Sequence, residues 1–260
     1  MNSVTKVIGI LGSTNTNGLT AQMLKAVLRG AEEQGCVTEM IHLSELSLKL
    51  TPSGEKNDIL DALSDRLIAA DCLVLASPTY WGDASGLMKN FLDCMRSKLL
   101  AFNQKGETMP GDFKGKGYVL LTSCYTKKRQ NRWSGITDPT FTTMDKPLGT
   151  AGMNGLGEEV CTDTFGKTIL PSSKEEDCIQ LGRQIPKKLN KGGFTMKRYI
   201  QLFFMLAVTV LIVMGIQKGL SSLGIMSLTN FWLNYLVFVL LTYILLSGLL
   251  HYFAVKKHKR

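Results

Sequence analysis

Lys6-Val7-Ile8-Gly9-Ile10-Leu11-Gly12-Ser13-Thr14-Asn15-Thr16-Asn17-Gly18-Leu19-Thr20 joins a short apolar run to the start of an amphipathic stretch. The run predicts a buried strand over 6–11, and the spacing that follows predicts a helix over 19–34. Small residues between them let the backbone turn tightly. A helix N-terminus then offers free N–H groups and a positive dipole end to an anion. Ser13, Thr14, Asn15, Asn17 and Thr20 can add side-chain hydrogen bonds. This is not a Walker A loop: five residues, not four, separate Gly12 from Gly18, and Leu19 stands where that loop has Lys. Nor is it G-x-G-x-x-G. An ordinary capped turn is the plainer alternative.

Working outward, apolar runs predict further strands at 37–42, 72–76, 118–123 and 158–162. Amphipathic stretches predict helices at 58–69, 86–98, 141–148 and 174–188. Strict alternation implies a parallel sheet covered on both faces, hence a single α/β domain of three layers over 1–189. Ligands of such sheets bind beyond the carboxyl ends of the strands, where strand order reverses. The loops after the first, third and fourth strands therefore carry the functional interest.

The loop after the third strand continues as Ala76-Ser77-Pro78-Thr79-Tyr80-Trp81-Gly82-Asp83-Ala84-Ser85-Gly86-Leu87-Met88-Lys89-Asn90-Phe91-Leu92-Asp93. Pro78 and Gly82 shape a turn, and Tyr80 and Trp81 supply flat surface for a planar ring. Together the two loops resemble those of the NAD(P)H-dependent FMN and quinone reductases of the flavodoxin superfamily, over roughly residues 5 to 185. The resemblance implies a flavodoxin-like fold with a five-stranded parallel sheet and FMN as cofactor. It implies a phosphate held by Ser13, Thr14, Asn15, Asn17, Gly18, Leu19 and Thr20. The isoalloxazine would lie against Pro78, Thr79, Tyr80, Trp81 and Gly82, with Ser123, Cys124 and Tyr125 closing over its other edge. Members often carry Arg where this chain has Asn15, which removes one charge from the phosphate site. A branch of the family holds an iron–sulfur cluster on cysteines between the second strand and second helix. Here residues 43–57 contain no Cys, so no Fe–S cluster is expected.

Such an enzyme needs no catalytic triad or metal, because the flavin carries the hydride chemistry. The implied activity takes electrons from NAD(P)H through FMN to a quinone, a flavin or another acceptor. Two rivals stay open: a flavodoxin-type carrier fed by a protein partner, and a non-catalytic membrane-tethered module. Lys127, Lys128, Arg129 and Arg132, with Trp133, follow the fourth strand. They read either as a solvated basic loop or as a seat for the phosphates of NAD(P)H. Related domains often pair as homodimers.

The charge lies elsewhere. The chain has 30 Lys and Arg against 21 Asp and Glu, a net charge of +9. Residues 1–186 hold 20 of those bases and all 21 acids, a net of −1. The basic excess is thus confined to the C-terminal part, which argues against nucleic acid as a partner. The same part is apolar: residues 199–217 carry no charge, and neither do 219–255. Two transmembrane helices, 199–217 and 231–255, fit the roughly 20 residues a bilayer requires. Basic flanks at 187–198 and 256–260 predict both ends in the cytoplasm and a membrane protein with two spans. Trp232 and Tyr235 suit one interfacial belt, Tyr252 and Phe253 the other. The segment 190–198 reads as a basic linker and 256–260 as a cytoplasmic tail. The apolar run 7–11 is too short for a secretory leader, and the six cysteines show no CxxC spacing, as expected of reduced thiols. His42, His251 and His258 have no metal-site spacing.

Overall fold

Five strands pair in parallel, the inner ones buried almost throughout and the two edge strands only in part. In the computed structural model, which describes residues 4–52, 55–190, 196–224 and 231–257, they are β1 (Lys6–Leu11), β2 (Val37–His42), β3 (Cys72–Tyr80), β4 (Gly117–Ser123) and β5 (Asn154–Cys161). Their order across the sheet is β2-β1-β3-β4-β5, every pair parallel. This is the flavodoxin-like order, and the chain reverses direction across the sheet between β1 and β3. The two central strands, β3 and β4, are buried almost end to end, as strands covered on both faces must be.

Helices cover both faces. On one lie α1 (Leu19–Glu32) and α6 (Ser172–Leu189), packed on Val7, Leu11, Val74, Val119 and Leu121. On the other lie α2 (Asp58–Ile68), α3 (Gly86–Leu99) and α5 (Asp138–Thr150), packed on Ile8, Ile10, Leu73, Leu75 and Leu120. Alternate residues of each strand thus feed opposite cores. The expected helix at 141–148 begins earlier, at Asp138, because Pro139 suits a first helical turn. The third strand runs four residues past Ala76, since Ser77 and Pro78 still pair with Thr122 and Ser123. Elements with no periodicity to betray them are a two-residue strand at Asp83–Ala84, a hairpin of Leu100–Phe102 with Thr108–Pro110, and the short α4 (Lys128–Ser134).

One ion pair ties the sheet to α6. Lys174 Nζ donates to Glu159 at 2.6 Å and to Asp177 at 3.0 Å. Burial opposes the Lys174 ammonium, but these bonds outweigh it and hold the pKa above the ordinary 10.5. The pair's contribution is therefore complete below pH 10.5 and fades only as the solution becomes more alkaline. Lys174→Met leaves the Glu159 carboxylate buried without its cation, an expected loss of about 3 kcal/mol in urea unfolding. Adding Glu159→Gln should recover most of it.

The acid side depends on another strand-to-helix contact. Glu39 on β2 accepts from Arg66 Nε at 3.0 Å and lies 3.2 Å from Lys6 Nζ. The Arg66 bond, then Lys6, holds its carboxyl below the ordinary 4.5. Its share of stability is thus present above pH 4.5 and lost on acidification. Glu39→Gln should flatten the acid limb of a Tm-versus-pH curve and leave the curve's shape above pH 6 unchanged.

The second unit is formed by α7 (Met196–Ser222) and α8 (Phe231–Lys257), which pack on each other. Thr209, Val213 and Gln217 recur every four residues on the buried side of α7. Gln217 Nε2 donates to the Asn234 carbonyl at 2.8 Å. Lys218, expected in the connection between the apolar stretches, lies inside α7. Among the described residues one helix, over Phe231–Gly248, is long and apolar enough to cross a membrane; the apolar part of α7 is the shorter Leu206–Ser222. Residues 191–195 of the expected linker, 225–230 of the connection and 258–260 of the tail lie outside the described residues.

Candidate functional site

The loop between β1 and α1 closes on itself before the helix starts. Asn15 N–H donates to Ser13 Oγ at 3.1 Å, Asn17 N–H to Asn15 Oδ1 at 3.1 Å, and Gly18 N–H to the Asn15 carbonyl at 3.3 Å. Gly18 is the N-cap and has no side chain to bond the first-turn amides. Those N–H groups remain open to an anion, with the helix dipole behind them. Thr14, Asn15 and Asn17 are exposed beside them, while Ser13 is buried. The Leu19 side chain belongs to the core, so only its backbone can serve a ligand.

Hydroxyls knit this loop to its neighbours. Ser85, the N-cap of α3, donates to the Gly12 carbonyl and accepts from Met88 N–H at 3.2 Å. Its own N–H donates to Ser77 Oγ at 2.9 Å. Thr20 Oγ1 and Ser123 Oγ are 2.6 Å apart, which joins α1 to the loop after β4. Gly12 has no room for a side chain, because a Cβ would lie 2.8 Å from Met88 Cβ. Loops far apart in sequence thus form one floor at the β1/β3 switch point.

The β3 loop is split between interior and surface. Pro78 and Thr79 are buried, and Thr79 Oγ1 lies 2.8 Å from both Thr122 and Thr140. The Thr79 hydroxyl is therefore engaged beneath the loop, and its backbone pairs with Ala84. Thr143 adds a second hold, donating to Asp83 Oδ1 at 2.6 Å. Tyr80 and Asp83 pair across a two-residue turn whose corners, Trp81 (φ 54°) and Gly82 (φ 81°), are both left-handed. Such a turn suits glycine, and a bulky residue in it costs about 1 kcal/mol. In return Trp81 projects wholly into solvent, 104 % exposed, beside a half-exposed Tyr80. Trp81→Asn should therefore raise thermal stability by up to about 1 kcal/mol. The same change should weaken binding of added FMN, read by flavin fluorescence.

After β4, Tyr125 is exposed and Cys124 buried. Burial pushes the Cys124 thiol above its ordinary range, so it serves packing rather than nucleophilic chemistry. The Cys124 N–H donates to the Cys161 carbonyl at 2.9 Å. Sequence reasoning passed over the loop after β5, which belongs to this edge. Asp163 N–H bonds the Thr126 carbonyl at 2.9 Å, and Thr164 N–H the Cys124 carbonyl at 3.2 Å. Gln22 of α1 straps the loop, donating to Thr168 O at 2.7 Å and accepting from Leu170 N–H at 2.8 Å. No periodicity marks such a loop; only its pairing partners do.

The domain is a flavodoxin-like α/β domain with an open anion seat at the switch point and exposed aromatics beside it. Residues 5–124 match the family model of the NADPH-dependent FMN reductases, a match that ends just after β4. An iron–sulfur flavoprotein of Archaeoglobus fulgidus is 32 % identical over 99 residues, 35 % of this chain and 45 % of that protein. Another, of Methanocaldococcus jannaschii, is 29 % identical over 111 residues, 39 % of this chain and 58 % of that one. The chain thus spans about half the length of the curated relatives it matches. Among solved structures, an NAD(P)H:quinone oxidoreductase from Methanothermobacter marburgensis superposes with a TM-score of 0.60 at 18 % identity, covering 71 % of this chain and 98 % of that one. A flavone reductase does so with a TM-score of 0.57 at 20 % identity, covering 71 % and 63 %. At such identities these structures speak for the fold.

Proposed function

We propose that the protein is a flavin-dependent NAD(P)H oxidoreductase, held at a membrane, that passes electrons through FMN to a quinone, a flavin or another acceptor. The observation that carries this reading is the uncapped N-terminus of α1 at the β1/β3 switch point, joined by hydroxyl bonds to the loops after β3 and β4. The residues fit FMN at both of its ends. Open first-turn amides of α1, with Ser13, Thr14, Asn15, Asn17 and Thr20 around them, suit a phosphate that needs no Lys or Arg. The exposed turn of Tyr80, Trp81 and Gly82 that follows the buried Pro78 and Thr79, with Tyr125 after β4, suits a planar ring. Bound FMN would supply the hydride chemistry, taking two electrons from NAD(P)H and releasing them to the acceptor.

This chain's own residues hold and orient. The Thr79–Thr122–Thr140 cluster and the Thr143–Asp83 bond fix the ring-facing loop on β4 and α5. Ser85 and Ser123 keep the phosphate loop in register with it. An Fe–S centre has no place in this reading, although the curated relatives are named iron–sulfur flavoproteins. The ground for leaving it out is the sequence: residues 43–57, where the cluster-bearing branch carries its cysteines, contain none.

Membrane attachment rests on α8, whose stretch Phe231–Gly248 is apolar and unburied, and on the basic flanks. With α7 as a second span, both termini lie on the cytoplasmic side. A cysteine introduced at Leu223 should then react with an impermeant maleimide from outside intact cells, whereas one at Val4 should not. For the activity, the test is the absorbance spectrum of detergent-purified protein before and after anaerobic NADPH. Bleaching of the flavin band is expected. A flavin that NADPH leaves oxidised would mark a carrier, and a protein that takes up no FMN would mark a non-catalytic module.

A further inference from the structure

The carboxyl edge of the sheet exposes more apolar surface than the residues assigned to FMN account for. Trp133 on α4 is 88 % exposed, and Phe165 and Ile169 in the loop after β5 are 87 % and 78 % exposed. Their backbones are anchored: the β5 loop is bonded to Cys124, Thr126 and Gln22, and Gly135 closes α4 by donating to the Asn131 carbonyl at 2.9 Å. Large apolar groups held in solvent on a fixed framework mark an interaction surface.

The same edge carries an excess of positive charge, although Asp163 lies near enough to Lys127 to feel it. Lys127, Lys128, Arg129 and Arg132 are all exposed, and none forms a salt bridge among the described residues. The nearby Asp163 is bonded to Lys167 at 2.9 Å, and that bond holds its carboxyl low. Aromatic and Arg anchors among unpaired cations have the composition of a protein interface whose partner is acidic.

We propose that this rim is the docking surface for an acidic electron-acceptor protein; the inference rests on the reductase reading above. One NADPH oxidised to NADP+ releases a proton and two electrons, which reduce two molecules of a one-electron acceptor in turn. A second copy of this chain is disfavoured as the occupant, because its own rim would meet this one with like charge.

The test uses full-length, FMN-loaded protein in neutral phosphatidylcholine nanodiscs. Its probes are the acidic soluble domain of cytochrome b5 and, as a basic control, cytochrome c. Binding of cytochrome b5, measured without NADPH, should weaken at least tenfold between 50 and 300 mM salt. It should weaken as much in Lys128→Glu/Arg129→Glu/Arg132→Glu, while binding of cytochrome c does not weaken. Phe165→Ser/Ile169→Ser should lower kcat/KM for cytochrome b5 at least fivefold and leave NADPH-driven reduction of a small quinone intact. Unchanged cytochrome b5 binding in the charge-reversed protein overturns the proposal. So does a rise in KM for NADPH as its only effect, which gives the cations to the nucleotide. Loss of dimers, or of binding to phosphatidylserine vesicles, with no effect on cytochrome b5 overturns it too. Failure of the reductase reading shows separately, as a flavin that NADPH does not reduce.

Discussion

Gly18→Asp should cost the protein its FMN while making it no less stable. Gly18 caps α1 with extended backbone (φ −67°, ψ 168°), a conformation open to any residue. An added Cβ first meets the Asn15 side chain, at 3.0 Å, and that side chain is exposed and can shift by a few tenths of an ångström while keeping its bond to Asn17 N–H. An aspartate there would accept the first-turn amide bonds and gain a few tenths of a kcal/mol over glycine. It would also place a carboxylate where the phosphate dianion is proposed to sit. Two like charges at such range, partly desolvated, repel by several kcal/mol before screening. We expect FMN affinity to fall at least a hundredfold, with Tm of the apo protein equal to or above that of the parent. Asn15→Arg should act oppositely, tightening FMN by about tenfold. Titration of apo protein with FMN reads both. Unaltered affinity in Gly18→Asp would mean the phosphate is not at this helix end.

The largest effect on stability is expected on the opposite side of the sheet from α3. Where α1 and α6 cross, Gly30 and Gly182 let the two backbones touch. A Cβ on Gly182 would lie 2.0 Å from the Val27 carbonyl oxygen, and one on Gly30 2.1 Å from the Ile179 carbonyl oxygen. These are backbone atoms within helices and cannot swing aside, so the helices must separate and open voids along the whole contact. Gly182→Ala should therefore cost about 3 kcal/mol or more in chemical unfolding, despite alanine's better helix propensity. On an exposed helix the same change would stabilise. The double variant with Gly30→Ala should cost less than the sum, because one separation of the helices relieves both clashes. A neutral Gly182→Ala would show that the helices do not approach so closely.

Much of this could be read along the chain. The strand at 6–11 follows from a contiguous apolar run, and α1, α2 and α3 from helical spacing. The loops 12–20 and 76–85 declared themselves by composition. What escaped were residues whose roles depend on partners distant in sequence. The Thr79 hydroxyl, for one, meets Thr122 and Thr140, 43 and 61 residues away. The loop after β5 has no pattern of its own, and it is strapped to α1 through Gln22, 146 residues earlier.

Sequence alone determined the alternation of strand and helix, the split between a near-neutral domain and a basic apolar tail, and the two loops of the candidate site. These depend on residue type and short-range period, which side-chain burial imposes locally. The tertiary structure alone decided that β1 lies between β2 and β3, so that the loop 12–20 stands beside the loop 76–85 with its helix amides open. Strand order comes from long-range pairing and packing on both faces, and the same local periods are compatible with other orders.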